Sequence, residues 1–271
     1  MVSLSEITRN CAADTPFSFE YCLRNKTVEK MGMRPPNAVK TGTTIVGLVF
    51  KDGVAIGADS RATEGPLVAD KFCLKLHKLS NNIYACGAGT AADLDQVTRM
   101  LSANLKLLEL NTKRKARVVA AQRMLRQHLF RYQGYIGAYL IIGGVDYYGP
   151  HLYAGHAHGS GQKVQFIADG SGGTAALGIL EKEYQMDMER EAGVELLKKA
   201  CFAGMASDLM SGNSMNYCVI TKEGSFETRD VVPDFCVSSE KENSYRYTEK
   251  STVVLKKHDI KFDVVEKMDI S

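Results

Sequence analysis

An α+β fold follows from three features of the sequence: short apolar runs punctuated by turns, two pairs of long amphipathic segments, and joins short enough for hairpins. Hairpins give antiparallel sheets, and paired helices need an apolar surface to cover. Two sheets stacked between helical layers is the packing expected, although periodicity alone leaves the layer order open. With 271 residues, 45% hydrophobic and 24% charged, the chain can bury the core of one sizeable domain or at most two small ones.

The elements follow in order. Residues 1–42 lack sustained periodicity and end in the breaker cluster Gly32-Met33-Arg34-Pro35-Pro36-Asn37, so they read as a leader. Strands are predicted over 44–50 and 54–59 around the turn Lys51-Asp52-Gly53, and again over 76–79 and 83–87 around Asn81-Asn82. Helical spacing then runs through Ala92, Val97, Leu101, Leu105 and Leu108, and through Val118, Leu125 and Leu129, with Lys113-Arg114-Lys115 as a solvated link. Strands return at 138–145, 151–154 and 164–168. A second helical pair covers 174–184 and 189–209, before strands at 216–221 and 225–231.

Composition excludes several classes. A net charge of +3 with interspersed acids and bases argues against nucleic-acid binding. No segment approaches the roughly 18 apolar residues that span a bilayer, and no signal sequence opens the chain. Seven cysteines without a C-x-x-C pair fit a reducing compartment, with thiols acting as small buried hydrophobes. His156 and His158 lack a third ligand in register, so a loop is preferred to a metal site. The glycine run at 170–173 lacks the ending of a phosphate loop.

The chemistry concentrates at Lys40-Thr41-Gly42-Thr43-Thr44, where cleavage after Gly42 would give Thr43 both a hydroxyl nucleophile and a free amine. Read with Gly57-Ala58-Asp59-Ser60-Arg61-Ala62-Thr63, Lys75 and Ala85-Cys86-Gly87-Ala88-Gly89-Thr90-Ala91-Ala92-Asp93, this stretch resembles the active β subunits of the proteasome core particle, most closely the β-2, trypsin-like type. The resemblance covers nearly all of 43 to about 231. It implies the four-layer αββα sandwich of N-terminal nucleophile hydrolases.

A threonine hydroxyl needs a base within hydrogen-bond reach. The α-amine of Thr43 can serve, because its reference pKa of about 7.7 to 8.0 lies near working pH. The resemblance makes Asp59 and Lys75 the groups that tune it, with Lys75 disfavouring protonation of the amine. By residue type alone they would read as an ordinary surface pair. It further implies that Gly89 forms the oxyanion hole and that Ser171, Asp208 and Ser211 hydrogen-bond around the amine and its water. In the precursor the nitrogen is an amide and cannot act as a base.

For substrate binding, the resemblance places Arg61, Ala62 and Thr63 on the edge strand that takes an extended peptide. It places Cys73, His77, Gly87, Ala91 and Asp95 around the pocket for the residue before the cleaved bond. Gly87 would leave that pocket deep, and the Asp95 carboxylate would pair with an incoming Arg or Lys. Asp93, and also Asp95, can be read instead as acids at a helix N-terminus. Gly173, Met210 and the order Gly212-Asn213-Ser214 depart from the family pattern near the site.

The expected product is a threonine endopeptidase precursor with a leader at 1–42, a catalytic domain at 43–237 and a tail at 238–271 that reaches a neighbouring subunit or folds back. It would need no metal or organic cofactor. Partners would be other β subunits in a seven-membered ring, the adjacent α ring and unfolded polypeptides, with no nucleic acid and no membrane, in cytoplasm and nucleus. The alternatives are a structural ring subunit with a degenerate site and an amidohydrolase acting on small amides.

Overall fold

The computed structural model describes residues 20–32, 41–237 and 256–261. The chain divides after Val237 into two units, Met1–Val237 and Ser238–Ser271. Most of the expected tail lies outside the described residues, and 256–261 carry no regular secondary structure.

Two five-stranded antiparallel sheets form the centre of the first unit. One contains β1 (Thr44–Phe50), β2 (Gly53–Asp59), β10 (Phe166–Gly170), β11 (Met215–Thr221) and β12 (Ser225–Val231), in the order β10-β1-β2-β11-β12. The other runs β5-β6-β7-β8-β9, from β5 (Leu76–Ser80), β6 (Ile83–Gly89), β7 (Ala138–Asp146), β8 (Gly149–Gly155) and β9 (Gly161–Val164). A small hairpin pairs β3 (Ala62–Glu64) with β4 (Leu67–Asp70).

The period-2 alternation of the strands sorts the core into three layers. Ile45, Ile56, Cys86, Ile141 and Cys218 lie in the cluster between the sheets. Val46, Leu48 and Phe50, on the other face of β1, pack beneath α4 (Gly173–Glu183) and α5 (Arg190–Ser207) with Leu180, Leu197 and Cys201. Ile83, Ala85 and Leu140 turn to α2 (Ala91–Thr112) and α3 (Val118–Arg131), meeting Leu101, Leu105 and Leu125. The layers are therefore helix, sheet, sheet, helix. Burial pushes the Cys218 thiol up to about 12, so it packs as a hydrophobe.

One sequence expectation needs correction. The run at 164–168 is not one strand: β9 ends at Val164 on the second sheet and β10 starts at Phe166 on the first. Gln165 is the crossing residue, its carbonyl accepting the Val49 N–H at 2.8 Å. Within residues 1–42, where no sustained periodicity is read, Glu20–Lys30 forms helix α1. Its sequence EYCLRNKTVEK combines good helix formers without an apolar stripe, so propensity makes a helix that periodicity does not reveal.

Candidate active site

Thr43 sits where the chain enters β1, and the strand ends of both sheets deliver its neighbours. Asp59 ends β2, Lys75 precedes β5, Gly89 ends β6, Ser171 follows β10 and Asp208 caps α5. Each lies at or beside the end of a strand or helix, so its functional group is presented at the edge of regular structure while its backbone stays anchored.

The centre is a buried ion pair. Lys75 Nζ lies 2.8 Å from Asp59 Oδ1, with side chains 7% and 0% exposed. The same ammonium donates to Thr43 Oγ1 at 3.0 Å and to the Gly42 carbonyl at 3.1 Å. Asp59 also accepts the N–H groups of Thr44 at 2.9 Å, Gly212 at 3.1 Å and Arg61 at 3.2 Å. A buried carboxylate is tolerated when its lone pairs are filled in this way.

A second hydrogen-bonded group closes around the backbone of Thr43. Its N–H donates to Ser171 Oγ at 3.0 Å, and the Gly172 N–H reaches its carbonyl at 3.3 Å. Ser171 Oγ also donates to Asp208, which accepts Ser211 Oγ at 2.7 Å and the Met210 N–H at 3.1 Å. Ser211 in turn accepts Thr44 Oγ1 at 2.9 Å. Burial pushes the Asp208 carboxyl up, but the hydrogen bonds from Ser171, Ser211 and Met210, with the Lys75 charge, outweigh it and leave the carboxyl below its ordinary value.

The Gly42–Thr43 peptide bond is intact and covered. Thr43 is 2% exposed, its hydroxyl donates to the Gly42 carbonyl at 2.6 Å, and the Gly42 N–H bonds Thr63 Oγ1 at 3.1 Å. Thr41 Oγ1 reaches the Gly89 carbonyl at 3.4 Å. Gly89 has φ +120°, and a β-carbon there would sit 2.2 Å from the Gly137 carbonyl oxygen, so only glycine fits this strand end.

The expected substrate-binding residues fall in three places. Ala62 and Thr63 lie on β3, while the Arg61 guanidinium binds Asn213 Oδ1 at 2.7 Å and the Leu209 carbonyl at 2.9 Å, holding the 208–213 loop. Ala91 opens α2, and Asp95 one turn on pairs with Arg99 at 2.7 Å. Burial lowers the His77 pKa while Asp95 raises it, which places the two within electrostatic reach. A β-carbon on Gly87 would meet Leu94 Cδ2 at 2.5 Å, so Leu94 occupies the space glycine frees on that side. Asp93 accepts the Gly137 N–H at 2.8 Å, a structural use beyond the helix N-terminus.

The departures from pattern have visible consequences. Asn213 takes φ +69°, a conformation asparagine tolerates, and still binds Arg61. Met210 forms the wall against Gly42, where an added β-carbon would lie 1.9 Å from Met210 Cβ. The resemblance puts Met210 near the site, and the structure supplies the contact partner, Gly42. His156 and His158 lie just beyond β8, with His156 edge-on to Tyr139 and the His158 ring against Gly134.

Sheet-on-sheet packing with helices outside, and a threonine entering β1 at the strand ends, define an α+β sandwich of the N-terminal nucleophile hydrolase class. Residues 39–220 match the family described as "Proteasome subunit". A Schizosaccharomyces pombe protein named probable proteasome subunit beta type-2 is 48% identical over 93% of this chain and 94% of its own length. Proteasome subunit beta type-7-B of Arabidopsis thaliana is 47% identical over 89% and 88%, and beta type-10 of Bos taurus 49% over 88% of both. The chain belongs to the proteasome β-subunit family. It is a core subunit, and it assembles with other proteasome subunits.

Proposed function

We propose that this subunit is a catalytic, β-2 type threonine endopeptidase, made as a precursor and activated by cleavage between Gly42 and Thr43. The observation that carries this reading is the position of Lys75 Nζ, within 3.1 Å of Thr43 Oγ1, Asp59 and the Gly42 carbonyl at once. One cation beside both the nucleophile and the carbonyl suits attack of that oxygen on that carbon.

In processing, Thr43 Oγ1 attacks the Gly42 carbonyl carbon and the C–N bond breaks. The hydroxyl proton goes to the departing nitrogen, leaving an ester on Thr43 and a free α-amine. Water then hydrolyses the ester to the Gly42 carboxylate and restores the hydroxyl. In turnover, the amine takes the hydroxyl proton as Oγ1 attacks the substrate carbonyl, then passes it to the leaving amine. A second water releases the acyl group. Ser171, which accepts the Thr43 N–H, and Asp208 and Ser211, linked to it through hydrogen bonds, would orient the amine and the water. Gly89 N–H would bind the oxyanion.

Asp95, paired with Arg99 and within electrostatic reach of His77, would take a substrate cation in place of Arg99, which favours cleavage after basic residues. The leader at 1–42 would be lost, the 238–271 tail would reach a neighbour, and the subunit would work in a seven-membered ring beside an α ring, in cytoplasm and nucleus. The test is the N-terminal sequence and intact mass of the subunit from its native particle, followed by hydrolysis of peptides with Arg or Lys before the reporter. A chain starting at Thr43 with basic preference is expected. A retained leader would mean a structural ring subunit.

A further inference from the structure

At the far end of the sandwich from Thr43, three turns converge on a cleft of about 900 Å³ lined by Arg114, Lys115, Arg117, Tyr147, Tyr148 and Lys222, with Asp146 and Val145 at its floor. The strand register sets this separation. Thr221, just before Lys222, pairs with Gly53, whereas Asp59 pairs with Met215 at the other end of the same two strands. Likewise Asp146 pairs with Gly149, and Ala138 with Gly89. Seven residues of strand at about 3.3 Å each put the cleft roughly 20 Å from the threonine.

The cleft is cationic and held in shape. Between 113 and 131 the chain has seven Lys or Arg and no Asp or Glu. The one carboxylate among the described lining residues, Asp146, is 4% exposed and already accepts the N–H groups of Val118 at 3.0 Å and Tyr148 at 2.9 Å, with His151 at 3.3 Å. It is therefore poorly placed to serve Arg114, Lys115 or Lys222. Buried Asn82 ties the Ala116 carbonyl to that of Val145 at 3.0 and 2.9 Å, and Glu109 accepts the Ala116 N–H at 3.1 Å. The basic turn is thus preorganised rather than a loose solvated link.

The remaining walls are aromatic. Tyr147 is 93% and Tyr148 65% exposed, and the Arg117 guanidinium lies 5.0 Å over the Tyr148 ring. Tyrosine and arginine together in a concave site are the residues that dominate protein interfaces.

We infer that this cleft docks a carboxylate-rich polypeptide segment of a neighbouring proteasome subunit. The cations supply paired hydrogen bonds to Asp or Glu side chains and the tyrosines cover the segment's apolar stems. A volume of about 900 Å³ holds several side chains, more than one small anion needs. A neighbouring subunit is the occupant at hand because the chain assembles with other subunits. This inference rests on assembly and not on the proteolytic reading.

The test uses the native particle. Zero-length carbodiimide coupling joins a lysine amine to a carboxylate in direct contact, so digestion and mass spectrometry should recover Lys115 or Lys222 joined to Asp or Glu of another subunit. In cells, the triple variant Arg114→Glu, Arg117→Glu, Lys222→Glu should enter assembled particles at least tenfold less than wild type, with Arg114→Gln, Arg117→Gln, Lys222→Gln intermediate. Wild-type incorporation of the Glu variant, or native particles yielding no such cross-link, would overturn the inference. So would ultraviolet cross-linking of the cleft to RNA in place of protein. The coupling is read on the unmutated particle, so a variant that fails to fold leaves the inference testable.

Discussion

Replacing Gly42 with alanine tests whether the Gly42 carbonyl, the proposed site of processing, is held by a rigid wall. The new β-carbon would lie 1.9 Å from Met210 Cβ, 2.5 Å from the Met210 carbonyl oxygen and 2.7 Å from its carbon. Ordinary contact is about 3.5 Å, so something must move by about 1.5 Å. Two of the three obstacles are backbone atoms, and a change of Met210 rotamer cannot clear them. The loop that carries them is pinned by Arg61 and by the Gly212 N–H on Asp59. Much of the displacement should therefore fall on Gly42, moving its carbonyl away from Lys75 Nζ. A misplacement near 1 Å costs on the order of 100-fold in rate, and overpacking adds about 1–3 kcal/mol of destabilisation. Intact mass of the subunit, sampled over time after synthesis, should show precursor persisting at least ~100-fold longer than wild type. Adding Met210→Gly should restore processing only in part, because the backbone contacts remain. Maturation of Gly42→Ala at the wild-type rate would refute the reasoning.

Four further outcomes are expected. Lys75→Ala strands the Asp59 carboxylate without its cation, so thermal unfolding of the precursor should show a loss of about 3–5 kcal/mol and processing should cease. Ser171→Ala removes the acceptor of the Thr43 nitrogen and should lower kcat for peptide hydrolysis by about 10²–10⁴ with KM little changed. Asp208 has a folded pKa below its unfolded value, so its stabilising effect is present above the ordinary carboxylate pKa of about 3.9 and is lost as pH falls through the folded value. The Tm difference between wild type and Asp208→Asn should accordingly shrink on acidification below about pH 4. Asp95→Asn removes what raises the His77 pKa against burial, so histidine NMR titration should find it lower still, and KM for peptides with a basic residue before the cleaved bond should rise roughly tenfold or more.

Much of the fold is legible in the chain because periodicity is a local property. Val97, Leu101 and Leu105 recur at helical spacing and lie on the buried face of α2, although its first buried residue is Leu94 and Ala92 is exposed, and the Asp52-Gly53 turn marks the β1–β2 hairpin. The split of 161–170 between two sheets escapes such reading, since the pairing partner of a strand is not encoded in its own pattern. Helix α1 escapes for the opposite reason: it has propensity but no apolar face. At the site, Thr43, Asp59 and Lys75 are recognisable through family resemblance and not through spacing. Met210 stands out in the same way as a departure near the site, but its effect depends on one close approach to Gly42 that only the fold shows.

The sequence by itself determined the alternation of core strands and helices after Thr43, the apolar faces of the long helices and the threonine chemistry that the motif around Gly42 makes available. Tertiary structure alone decided that Ser171 would meet a nitrogen 128 positions earlier, that one ammonium would touch hydroxyl, carboxylate and carbonyl together, and that basic and aromatic turns would share one cleft. The physical reason is range. Hydrophobic period and turn chemistry act between residues a few positions apart, whereas a catalytic geometry needs strand ends from two sheets brought within 3 Å by the packing of the whole core.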